Sequence, residues 1–157
     1  MSKVQRPRIP GATVFFHVAL RDPDSDLLLR EINLLRFAVA RTLRDWPVSI
    51  EAWTVLPNQM MCIWTLPTNC SDYSTRWRLI KSRFSRALPP GQRSRSHVLS
   101  GERAIWQRRF WEHHIRNEAD YNLHVSRCFT APAELGFCRD PAEWRYSSFF
   151  KARQKAA

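Results

Sequence analysis

VSIEAWTVLPNQMMCIWTL, residues 48–66, decides the fold. Two runs, 48–56 and 59–66, are dense in β-branched and aromatic residues, and only Pro57-Asn58 separates them. That spacing predicts two antiparallel strands joined by a tight turn. The second run is unusual. It has the apolar density of a buried strand, yet its centre holds Gln59, Met60, Met61 and Cys62.

Outward from this hairpin the chain alternates. ATVFFHVAL, residues 12–20, reads as a buried strand opened by a Pro10-Gly11 turn. RDPDSD supplies a turn and a helix N-cap, Ser25 or Asp26. The helix that follows is expected to reach about Arg44, with an apolar stripe at Leu28, Ile32, Leu35, Val39 and Leu43, and Pro47 stops it. On the other side, a helix from about Ser74 to Leu88 puts Trp77, Ile80 and Phe84 on one face. Pro89-Pro90-Gly91 ends it, and 89–100 is expected to be a flexible loop. AIWQRRFW, residues 104–111, suits a fourth strand. A third helix is predicted from roughly Glu118 to Phe129, followed by a tail punctuated by Pro132 and Pro141 in which WRYSSFF folds back. The order β-α-β-β-α-β-α predicts an α+β, ferredoxin-like split β-α-β sheet with helices packed on one face. A single domain is expected over residues 1–157, with a basic N-terminal arm at 1–10.

A chain of 157 residues can bury about 70% of its unfolded surface in one core. No apolar run approaches the ~20 residues of a membrane span, and MSKVQRPRIP lacks the apolar segment of a secretory signal. The expected location is the cytoplasm, in association with the nucleoid. The four cysteines, Cys62, Cys70, Cys128 and Cys138, form no C-x-x-C pair, and they read as reduced, packed thiols.

The net charge is +11, supplied mostly by arginine. Such a balance favours a polyanionic partner, most simply nucleic acid. From Arg76 to Arg109 there are ten Lys or Arg and one acid, Glu102. Arg76, Arg78, Lys81, Arg83 and Arg86 are candidates to hold backbone phosphates, with Arg108 and Arg109 at the edge of the same surface. Trp77, Phe84 and Trp106 are interleaved with these charges, and the helical spacing of Trp77 and Phe84 assigns those two to the core first.

Five segments together resemble one family: RPRIPGATVFFHVAL, VLPNQMMCIWTLP, STRWRLIKSRFS, GERAIWQRRFWEHHIRNEADYNLHV and EWRYSSF. The chain is similar to the REP-associated tyrosine transposases, a branch of the single-strand HUH transposases. The resemblance covers most of the chain and implies a ferredoxin-like HUH fold. It also implies DNA, single-stranded or hairpin, as the partner. Active members cut single-stranded DNA beside REP hairpins. A tyrosine becomes joined to the 5′ phosphate, while a Mg²⁺ or Mn²⁺ held by a His-hydrophobic-His pair and a further polar residue polarises that phosphate. The arm, including Lys3, Arg6 and Arg8, is implied to reach bases beside the hairpin.

The odd strand then acquires a reading. The family runs approximately L-P-D-H-L-H-A-I-W, which places Gln59 and Met61 at the two metal-histidine positions. An amide oxygen is a feeble substitute for imidazole, and a thioether is too soft for Mg²⁺ or Mn²⁺. Near the nucleophile the family runs approximately H-V-x-Y-I-H-x-N-P-V-K-H-G. His124, Pro132 and Gly136 fix the register, so Arg127 stands at the tyrosine and Ala131 at the third ligand. All four expected active-site positions differ. The resemblance therefore implies no bound cofactor, no catalytic residue and a retained DNA-binding fold in which Arg127 clamps a phosphate.

Other readings stay open on the sequence. An active nuclease would need a relocated tyrosine, Tyr121 being on the right helix, with Tyr73 and Tyr146 more remote. It would also need a rebuilt metal site such as Cys62 with His17 or His124. His113 and His114, if on a regular helix, cannot both face one site, and His97 falls in the loop. A protein-binding module whose basic face meets an acidic partner is a third reading.

Overall fold

The computed structural model describes residues 8–150. Its elements are β1 (Thr13–Ala19), α1 (Leu27–Arg30), α2 (Ile32–Asp45), β2 (Ser49–Val55), β3 (Gln59–Thr65), α3 (Ser74–Arg86), α4 (Arg95–Ser100), β4 (Trp111–His114) and α5 (Glu118–Glu134), followed by a 3₁₀ turn, Pro141–Glu143. The four strands form one antiparallel sheet in the order β2-β3-β1-β4. This is the expected ferredoxin-like arrangement. Central β1 and β3 are covered on both faces, which explains why they read as near-continuous apolar runs rather than clean alternations.

The pleat divides those strands between two cores. Val14, Phe16 and Val18 from β1, with Met60, Cys62 and Trp64 from β3, point to the face covered by α2 and α3. They meet Leu35, Ala38, Trp77, Ile80 and Phe84 there. Trp64 and Trp77 stack with ring centroids 4.5 Å apart and planes 11° off parallel. Each of the large aliphatic and aromatic side chains contributes about 1.5–3 kcal/mol by leaving water. The opposite face carries Phe15, Ala52 and Ile63, which pack with Cys128 of α5. The expectation of helices on one face therefore holds for α2 and α3 and is corrected for α5.

Further corrections have local causes. The first helix is split at Glu31, and Leu28 N–H is held by the Pro57 carbonyl of the hairpin turn at 3.1 Å. The fourth strand lies at Trp111–His114, not at 104–111. Ala104 takes a positive φ of 57°, Trp106 donates its indole N–H to Ser85 Oγ at 2.9 Å, and its backbone forms an isolated bridge with Leu20, so the segment touches the end of β1 once and then leaves it until the ladder begins at Trp111. Part of the expected loop is helix. At α4 the Ser94 hydroxyl accepts from the His97 N–H, His97 reaches back to the Ser94 backbone, and Gly101 closes the helix in the left-handed region at φ 73°.

The third helix runs on to Glu134, through Pro132. Proline has no N–H to give the carbonyl four residues back, which belongs to Cys128. The buried Thr54 hydroxyl of β2 donates to that carbonyl at 2.7 Å. A tertiary contact thus replaces the missing helical bond. Thr54→Val keeps the shape but leaves the carbonyl unpaired, and should cost about 1–3 kcal/mol. Pro132→Ala resupplies a local N–H, so Thr54→Val should cost much less in that background. Urea denaturation of the four proteins measures the coupling; equal losses in both backgrounds would remove this account.

Candidate functional site

The face beneath α5 gathers His17, Gln59, Met61 and His124. On β1, His17 pairs with Met61 of β3, and Ala19 pairs with Gln59. By alternation His17, Gln59 and Met61 share this face. His17 Nε2 is hydrogen-bonded to the Gln59 amide oxygen. Gln59 and Met61 are both half-buried.

α5 supplies the other half. Its N-cap is Asn117, whose side chain accepts from the Asp120 N–H at 2.8 Å. His124, Cys128 and Ala131 face inward and are buried, whereas Arg127 is exposed. His124 and Ala131, seven residues apart, share the inward row, and Arg127 stands at its solvent edge.

As a donor set, the residues at the positions that the resemblance assigns to metal ligands do not fit Mg²⁺ or Mn²⁺. The Gln59 oxygen is already committed to His17, Met61 offers only a thioether, and Ala131 offers nothing. The Cys62 alternative fails on geometry. Cys62 points to the α2/α3 face, opposite His17 and His124, and burial raises its thiol well above the ordinary value. Cys128 does lie under α5, with its thiol pushed up to about 12 by burial, so it stays protonated. Tyr121 is half-buried, and its hydroxyl lies 3.5 Å from Glu51 Oε2. Burial and that carboxylate raise its pKa, which works against a phenolate nucleophile. Tyr73 is buried in the core, and Tyr146 packs edge-on to Trp144.

His113 and His114 sit on strand β4, not on a helix, and alternation sends them to opposite faces. His114 approaches the ring of Tyr73, whereas His113 stacks on His124 with centroids 4.5 Å apart. Asp120 lies against both imidazoles: His113 Nε2 is 2.8 Å from Oδ2, and His124 Nδ1 is 3.1 Å from Oδ1. Sequence reasoning missed this group. The signal was an Asp and a His four residues apart on one helix, but the partner on β4 is visible only in the sheet.

The basic candidates separate into classes. Arg76 is 2% exposed, and its guanidinium donates to the carbonyls of Trp46, Pro47 and Asp72. It ties α3 to the end of α2 and is withdrawn from the phosphate-binding set. Arg83 donates to the Thr42 hydroxyl at 2.7 Å, and Lys81 to the Gln107 carbonyl at 3.1 Å. Arg108 pairs with Glu102 at 3.0 Å. Arg8, Arg78, Arg86, Arg109 and Arg127 are exposed. Lys81, Arg86, Arg103 and Arg108 line an open groove of about 420 Å³ between α3 and the segment that follows α4. Lys3 and Arg6 lie outside the described residues. Among the described residues, no helix is long and apolar enough to cross a membrane.

Comparison with known proteins decides the lineage. A REP-associated tyrosine transposase of Escherichia coli K12 is 42% identical over 151 residues, 96% of this chain and 84% of the relative. The chain belongs to the REP-associated tyrosine transposase family. A second relative, from Haemophilus influenzae and named a putative REP-associated tyrosine transposase, is 33% identical over 96% of this chain and 87% of its own length. A solved REP-associated tyrosine transposase, bound to a REP hairpin, aligns with a TM-score of 0.84 at 40% identity, covering 99% of this chain and 87% of the other. No family model matches the chain. The family resemblance and the α+β fold read from sequence are thus both established.

Asp120 gives this site a pH signature. The Arg116 backbone N–H, then His113, hold its carboxyl down at about 2, below the ordinary 3.8. A depressed carboxyl stabilises the fold above its unfolded pKa and loses that contribution as pH falls through the folded one. The parent should therefore lose melting temperature as pH drops from about 5 toward 2, and Asp120→Asn should show a shallower decline. Parallel slopes in a thermal series would refute the assignment.

Proposed function

We propose that this chain binds hairpin-forming, REP-like DNA and does not cut it. The observation that carries the binding half is the match, over nearly the whole chain, to a relative bound to a REP hairpin. The exposed Arg78, Arg86 and Arg109, with the groove that Lys81 and Arg108 help to line, offer a surface for backbone phosphates. Arg127, at the tyrosine position implied by the resemblance, adds a cation where the reacting phosphate would lie. It cannot act as a nucleophile, because its guanidinium does not deprotonate in proteins.

The silent half rests on donor chemistry. Gln59, Met61 and Ala131 cannot polarise a phosphate through Mg²⁺ or Mn²⁺, and Tyr121 is poorly placed to substitute for the missing phenol. A protein that binds without cutting would compete with an active copy for its sites or regulate them.

The two halves are tested separately. A labelled palindromic hairpin with a single-stranded flank, titrated across salt against duplex and unstructured competitors, measures binding. Hairpin selectivity with a steep salt slope is expected, and Arg78→Gln, Arg86→Gln or Arg109→Gln should each lower that slope by about 1. Absent selectivity sinks the binding reading. Incubation of the same DNA with Mg²⁺ or Mn²⁺ should give no nicks with the parent. The combined Gln59→His, Met61→His, Arg127→Tyr and Ala131→Asn variant should regain some cleavage. Metal-dependent nicking by the parent, lost on Tyr121→Phe, would overturn the silent reading.

A further inference from the structure

The cluster of His113, Asp120 and His124 is unused by the DNA-binding reading, and its ligand atoms lie close enough together to hold one metal ion. One ligand atom from each residue lies within 4.8 Å of the others. His113 Nε2 lies 2.8 Å from Asp120 Oδ2, whereas His124 Nδ1, 3.1 Å from Oδ1, is hydrogen-bonded at 2.8 Å to the Asp120 backbone carbonyl, so the ligand nitrogen offered by His124 is Nε2. Both rings are held in place. Trp111 stacks on His113 with centroids 6.0 Å apart and planes 6° off parallel, and Phe15 lies against His124 at 4.9 Å. The carboxylate is oriented by the Arg116 N–H, at 2.9 Å. Support of this kind behind the ligands makes a site stiff. His124 and Asp120 are nearly enclosed, while His113 is 23% exposed, leaving an open side for a solvent ligand.

We propose that His113, Asp120 and His124 bind one borderline transition-metal ion, Zn²⁺ in preference to Mg²⁺, and so clamp β4 to the first turns of α5. Two imidazoles and a carboxylate select for such an ion, whereas Mg²⁺ demands an oxygen shell. On binding, the proton shared between His113 Nε2 and Asp120 leaves to solvent, and the vacated lone pair takes the metal. The Arg116 guanidinium, 3.7 Å from Asp120 and exposed, is free to swing away from the incoming charge. This site is separate from the Gln59/Met61 positions and independent of whether the chain binds DNA.

The test uses the free full-length chain, stripped with chelator and titrated with Co²⁺ as a spectroscopic stand-in, then with Zn²⁺. One equivalent should produce the visible d–d absorption of four-coordinate Co²⁺, and Zn²⁺ should raise the melting temperature where Mg²⁺ does not. His113→Gln preserves a donor to Asp120 while removing the imidazole. It should leave the metal-free protein folded and weaken Co²⁺ binding at least about tenfold. His124→Gln should do the same, and if it fails to fold, the His113 variant alone decides. No d–d absorption, unchanged affinity in the His113 variant, or thiolate charge-transfer bands pointing to cysteine would each overturn the proposal.

Discussion

The position of α5 depends on one buried hydrogen bond, from the Thr54 hydroxyl to the Cys128 carbonyl. Pro132 leaves that carbonyl without its helical partner, and an unpaired carbonyl in an apolar setting is costly. The cost is avoided only when α5 lies across β2 with Cys128 over Thr54. That placement fixes the rest of the helix. It sets His124 against Phe15 and brings Asp120 to His113 of β4. A proline that reads as a helix stop is, in the folded chain, part of the docking contact.

The sheet serves two different purposes through its two faces. Toward α2 and α3 it is a packed aromatic core in which Phe16, Trp64 and Trp77 contact one another directly. Toward α5 it tolerates an amide, a thioether and two imidazoles because that layer is only partly enclosed. The amide and one imidazole satisfy each other, His17 to Gln59. A change of catalytic residues can therefore accumulate on the α5 face with little effect on the core, since alternation directs the two sets of side chains away from each other.

Positive charge is abundant but is not uniformly available. Arg76 is consumed by three backbone carbonyls, and Arg83 and Lys81 are each tied to a neighbouring group. Arginine is suited to the buried role because its fork reaches several acceptors at once. The groove beside α3 and the exposed arginines carry what remains for a polyanion. A count of basic residues thus overstates the electrostatic contact any ligand can make.

The sequence by itself determined the order of strands and helices along the chain, the central hairpin and the apolar faces of α2 and α3, because local propensity and periodicity act within a few residues. It also determined the family. Only the tertiary structure decided which face α5 covers, where β4 begins, and that Arg76 is internal. Each of these depends on partners far along the chain. Thr54 meets Cys128 across 74 residues and Arg76 meets Trp46 across 30. The His113–Asp120–His124 group belongs to the same class: its residues are near in sequence, but a strand and a helix had to pack before their ligand atoms converged.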